Sequence, residues 1–91
     1  MLLLSHMALH EVPIYRLLKE ELLPNLIRLD LSFNFIKEIP LEIYSCSNLT
    51  ELWLQNNPIE EIPVGISELR HLEVLDIAHT KISILPNDRV E

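Results

Sequence analysis

The sequence predicts an α/β solenoid, with short parallel strands on one face and short helical or 3₁₀ return segments on the other. Three observations carry that expectation. Asn25-Leu26-Ile27-Arg28-Leu29-Asp30-Leu31-Ser32-Phe33-Asn34 recurs 23 residues on as Asn48-Leu49-Thr50-Glu51-Leu52-Trp53-Leu54-Gln55-Asn56-Asn57, and more loosely as His71-Leu72-Glu73-Val74-Leu75-Asp76-Ile77-Ala78-His79-Thr80. Within each copy an x-L-x-L-x segment alternates apolar and polar residues, the period of a half-buried strand. Beyond it, apolar residues fall at every third position around a proline, which suits a helical return and forbids another strand.

All 91 residues read as one array, with repeats at 4–25, 26–48, 49–71 and 72–91. In the first, Leu4-Ser5-His6-Met7-Ala8-Leu9-His10-Glu11-Val12-Pro13-Ile14 fits the frame in degenerate form. Met7 stands as its second leucine, Val12 takes the asparagine position, and Pro13-Ile14 mirrors Pro58-Ile59. That places a weak strand near 6–9. A capping helix from Val12 to Leu23 is the alternative for this segment, and both readings stay open. The regular repeats place strands near 27–32, 50–55 and 73–78, with Leu29/Leu31, Leu52/Leu54 and Leu75/Ile77 pointing inward. Asn34 and Asn57 follow the strands where the chain turns, and their amides can pair buried backbone groups as a ladder up the stack. Thr80 can do part of that work and Val12 none.

The return segments run Ile36-x-x-Ile39-Pro40-x-x-Ile43-x-x-Cys46-x-x-Leu49 and Ile59-x-x-Ile62-Pro63-x-x-Ile66-x-x-Leu69-x-x-Leu72. Cys46 occupies the Leu69 slot, which makes it a small core residue rather than a reactive thiol. The fourth repeat is truncated. It offers Arg89 where Ile43 and Ile66 predict an apolar side chain, so Ile77, Ile82 and Leu85 lack a cover. Since a repeat array needs polar ends to stay soluble, the expectation is either a fragment of a longer array or an uncapped C-terminal end that docks onto a second copy or onto a partner.

Composition bounds the partners. Fourteen acidic against seven basic residues give a net charge of −7, which repels phosphate backbones and favours a protein with a basic surface over nucleic acid. One cysteine allows no internal disulfide and fits a reducing compartment. Met1-Leu2-Leu3-Leu4 is cut short by Ser5 and His6, has no basic flank, and is followed by no small-residue cleavage site. No apolar run approaches the ~18 residues of a membrane span. The expectation is a soluble protein of the cytoplasm or nucleus.

The frame L-x-x-L-x-L-x-x-N-x-I with an I-P-x-x-I tail resembles the leucine-rich repeat family. It looks like the intracellular type found in Ras-pathway scaffolds and plant Ras-group proteins, well over 26–88 and weakly over 4–25. The resemblance implies a protein-binding module and is silent on the partner. A narrower likeness, Leu4-x-x-Met7-x-Leu9 followed by Pro13-Ile14-Tyr15, is similar to the repeat region of carbon catabolite repressor mRNA deadenylases. There it implies a segment that anchors the enzyme to its scaffold complex; the nuclease itself is absent here.

Outward strand positions form four columns on the expected concave face. These are His6, Arg28, Glu51 and Val74; Ala8, Asp30, Trp53 and Asp76; His10, Ser32, Gln55 and Ala78; and Glu11, Phe33, Asn56 and His79. Trp53, the single tryptophan, stands centrally among Arg28, Asp30, Glu51, Gln55 and Asp76, the composition of an interface anchor with a polar rim. Phe33 and His79 flank it, with Phe33 in a column expected to tilt into the core edge. No metal site is expected, because His6 and His10 would stand about 13 Å apart on a strand. No cofactor loop or catalytic motif appears, so the chain is not expected to be an enzyme.

Overall fold

The computed structural model describes residues 2–19, 25–62 and 64–82. Four short strands, β1 (Leu2–Leu3), β2 (Arg28–Asp30), β3 (Glu51–Trp53) and β4 (Val74–Asp76), pair in parallel and in sequence order. An α-helix, α1 (Ile14–Lys19), follows β1, and 3₁₀ helices at Leu41–Ser45 and Val64–Glu68 follow β2 and β3. Arg28, Leu29 and Asp30 face Glu51, Leu52 and Trp53, which in turn face Val74, Leu75 and Asp76. The ladder runs past the strand ends, with Leu31 N–H donating to Trp53 O at 2.8 Å and Phe33 N–H to Gln55 O at 3.0 Å.

Alternation decides the interior. Leu29, Leu31, Leu52 and Leu54 are fully buried behind the sheet, where they meet the three-spaced residues Ile36, Ile39, Ile43, Cys46 and Leu49 and their counterparts Ile59, Ile62, Ile66 and Leu69. Cys46 does occupy the Leu69 position: Cys46 N–H donates to Ile43 O as Leu69 N–H does to Ile66 O. Burial away from any cation pushes its thiol up to about 11. Pro40, extended at φ −68° and ψ 147°, opens the first 3₁₀ helix. Gly65 in the second lies beneath the Tyr44 ring, and a Cβ there would come within 2.9 Å of Tyr44 Cδ2. A side chain at 65 and the ring at 44 compete for one space.

The first repeat departs from expectation. Its strand is Leu2–Leu3, not 6–9, because Leu2 pairs with Leu29 and Leu3 with Asp30. Equivalent residues here lie 27 apart rather than 23, and the return after β1 is an α-helix in place of a 3₁₀ turn. Leu9 therefore matches Ile36, and Val12-Pro13 matches Ile39-Pro40 rather than Pro13-Ile14 matching Pro58-Ile59. Met7, not Val12, holds the asparagine position. The segment is at once a repeat and a helix, though residues 20–24 lie outside those described.

Burial fades at the other end, where Leu75 and Ile77 are only partly covered. No strand lies beyond β4 among the described residues. The expectations for Leu85 and Arg89 fall outside those residues.

Candidate functional site

The strands' outward side chains make one continuous face, and its centre is a hydrogen-bonded group spanning β2 and β3. Trp53 Nε1–H donates to Glu51 Oε1 at 3.0 Å. Glu51 Oε2 lies 3.0 Å from Arg28 Nε, with the arginine side chain half exposed and the glutamate mostly covered. Alternation puts residues 51 and 53 on the same side of β3, so their side chains meet above the sheet while Leu52 goes inward. Trp53 is half-buried, and both its flanking Cα partners, Asp30 and Asp76, are carboxylates.

Those two aspartates have a local task. Asp30 Oδ1 accepts from Ser32 N–H at 2.9 Å and from Ser32 Oγ–H at 2.6 Å. Asp76 Oδ1 accepts from Ala78 N–H at 3.0 Å. Each closes an Asx turn at the end of its strand. Asp30 thereby pulls Ser32 inward to 2 % exposure, so the third column is not the open one expected. In the same column Gln55 Oε1 is buried with no hydrogen-bond partner.

The fourth column is a line of left-handed residues: His6, Phe33, Asn56 and His79 have φ of 56°, 55°, 60° and 57°. Asparagine and histidine tolerate this region; a bulky phenylalanine is strained there. Phe33 does not tilt into the core edge. It is 46 % exposed, and the His6 ring stacks on it at 4.4 Å. The His10 ring stacks on Phe35 at 5.2 Å. His6 thus belongs beside Phe33, and Leu3, 60 % exposed, takes the place beside Asp30 that Ala8 was expected to hold. Phe35 and Leu3 were missed by the column reading. Phe35 sits at the variable position of N-x-I, and Leu3 lies inside a leucine run without alternation.

Beneath the face the asparagines bridge neighbouring repeats. Asn57 Nδ2 donates to Leu31 O and Leu54 O at 2.9 and 3.0 Å, while its Oδ1 accepts from Ile36 N–H at 3.1 Å. Asn34 Nδ2 reaches Leu4 O at 3.0 Å, and its Oδ1 accepts from Met7 and Leu9 N–H. Thr80 Oγ1 donates only within its own loop, to Ile77 O at 2.7 Å.

Two grooves open away from this group. One, of about 190 Å³, is lined by Glu11, Val12, Ile14, Glu38 and Pro40. The other, of about 250 Å³, is lined by Lys37, Glu38, Ile39, Leu41 and Glu61. Both are smaller than the ~300–1,000 Å³ of ordinary small-molecule sites. Among the described residues no three His, Cys, Asp or Glu side chains are grouped to hold a metal ion. None of the described helices is long and apolar enough to cross a membrane.

A family model for leucine-rich repeats, built on two copies, matches residues 24–71 and again 47–89. A protein of Arabidopsis thaliana with leucine-rich repeats and a ubiquitin-like domain is 39% identical over 62 residues, 65% of this chain and 17% of that protein. A probable serine/threonine-protein kinase of Dictyostelium discoideum is 39% identical over 76 residues, 82% of this chain and 6% of its own length. The chain therefore spans a small part of either relative.

Proposed function

This chain belongs to the leucine-rich repeat family, whose domains generally mediate protein–protein interaction, and we propose that it is a non-catalytic module binding a partner on its strand face. The stacked repeats would curve as a solenoid with that face concave. The observation that carries the reading is Trp53, held at its edge by Glu51 and surrounded by polar groups of three neighbouring strands. A fixed aromatic with a polar border has the make-up of an interface anchor. Arg28, Asp30, Gln55 and Asp76 would form the border, with Phe33 and His79 as outlying contacts. A net charge of −7 favours a basic partner and an association rate that falls as salt rises.

Affinity capture from cytoplasmic and nuclear extracts, with Trp53→Ala as the paired control, tests it. Truncating an anchor typically costs about 2 kcal/mol or more of binding, so the partner should be lost from the variant. A partner retained by Trp53→Ala would move docking to the convex face or the array's end. The deadenylase-like reading requires that outcome, with an adaptor of the mRNA-decay machinery as the captured protein.

A further inference from the structure

We propose that the Trp53 ring, between Asp30 and Asp76, receives an arginine side chain of the partner protein. This rests on the strand-face docking reading and names the chemistry that face recognises.

The indole edge is already spent. Trp53 Nε1–H is donated to Glu51, so no donor remains there for a carbonyl or an anion. What the ring still offers is its π face, whose negative potential attracts cations. Glu51 is a positioning residue: one oxygen holds the indole, the other holds Arg28, and the ring orientation is fixed across two strands.

The surrounding charges complete the case. Parallel pairing places the Asp30 and Asp76 backbones on either side of Trp53, each about 4.8 Å away in the hydrogen-bonding direction. Each aspartate uses Oδ1 for its own turn, and among the described residues neither has a cationic partner. Two carboxylates therefore flank an aromatic face with their charge unneutralised. A guanidinium meets these demands together: it is planar enough to stack on the indole, permanently charged, and carries five donors. An ammonium brings the charge without the stacking plane.

The test uses the whole chain and a nona-arginine peptide, followed by calorimetry and by fluorescence of Trp53, the only tryptophan. Nona-lysine and nona-citrulline peptides are the comparisons. Asp30→Asn with Asp76→Asn removes both charges while keeping the Oδ1 acceptor of each turn. Glu60→Gln with Glu61→Gln changes net charge equally on residues outside the columns. The arginine peptide should perturb Trp53 emission and bind more tightly than the lysine peptide, and citrulline should not bind. The aspartate pair should weaken arginine binding about tenfold, the glutamate pair less than about twofold. Equal losses in the two pairs, lysine binding as tightly as arginine, or full calorimetric binding by Trp53→Ala each overturn the proposal.

The two readings fail differently. If the captured partner is lost by Trp53→Ala but held at full strength by the aspartate pair, docking on this face stands and the arginine site falls. If both variants hold it, both readings fall.

Discussion

Asn57→Ala should destabilise the protein by about 2–6 kcal/mol, a cost that follows from counting which groups it strands. The side chain is 2 % exposed and makes hydrogen bonds in both directions. Ile36 N–H, buried, would lose its acceptor, and Leu54 O would lose a donor at 3.0 Å. Leu31 O keeps a partner, because Asn34 Nδ2 also donates to it at 2.9 Å. Two stranded backbone groups at about 1–3 kcal/mol each set the range, and no water reaches a site this deep without opening the stack. Thr80→Ala provides the scale. Thr80 is only partly buried, and its bonds stay within one loop, at 2.7 Å to Ile77 O and 3.4 Å from Ile82 N–H. It should cost about 1 kcal/mol or less. Urea denaturation of the two variants, read as shifts in midpoint at constant slope, compares them directly. Equal losses would refute the claim that the bonds between repeats, rather than the turn itself, give the asparagine its weight.

Three further outcomes are expected. Gly65→Ala should lose about 1–3 kcal/mol by forcing its methyl against the Tyr44 ring. In a Tyr44→Ala background that penalty should vanish, and a double-mutant cycle in urea reads the coupling. Cys46, raised from 9.0 to about 11 by burial, is protonated in the fold while the unfolded thiol ionises first. Its contribution is intact below pH 9 and declines up to about pH 11, by about 2–3 kcal/mol, and Cys46→Ala should flatten that stretch of the stability profile. Phe33→Asn should gain about 1 kcal/mol from relieving a left-handed phenylalanine, less what the His6 stack contributes. A urea midpoint that falls instead would show the ring's packing to outweigh the strain.

Much of the fold was legible because two periods coincide. The alternation at Leu29/Leu31 and Leu52/Leu54 fixes which face is buried, and the three-spaced isoleucines fix where the chain returns. A one-residue slip would turn either set to water, so register is strongly specified in the central repeats. The first repeat escaped because Leu2-Leu3-Leu4 is apolar at three successive positions. Alternation then has no phase, and the register shows only in the bonds that tie Leu4, Met7 and Leu9 to Asn34. On the strand face, Trp53 and its neighbours on β2 and β4 could be placed by column. The burial of Ser32 could not, because it depends on a side-chain bond from Asp30 that curls the chain. The left-handed turn left a trace that column reading overlooked. Asn56 and His79, both tolerant of positive φ, share a position with Phe33, and that recurrence marks the backbone conformation.

The aspartates beside Trp53 show why fold and function are hard to separate in a strand-face site. Asp30 and Asp76 sit at equivalent positions and close equivalent turns with the same oxygen. The turn uses an acceptor there, and asparagine or serine would supply one as well. The charge is surplus to that need. Trp53 occupies the same column in the middle repeat, and no side-chain cap for residue 55 is seen there among the described bonds. Gln55 is also where the buried, donorless oxygen appears. The middle repeat has thus exchanged the turn-closing aspartate for a large aromatic and left an acceptor unpaired beside it. The indole gains partial burial and its bond to Glu51 from that exchange, and under the proposed docking its π face would also meet the partner's cation. Alanine at 30 or 76 would confuse the two roles by breaking the turn and removing the charge together. Asparagine keeps the turn and removes only the charge, so it is the substitution whose effect on binding can be read without a correction for folding.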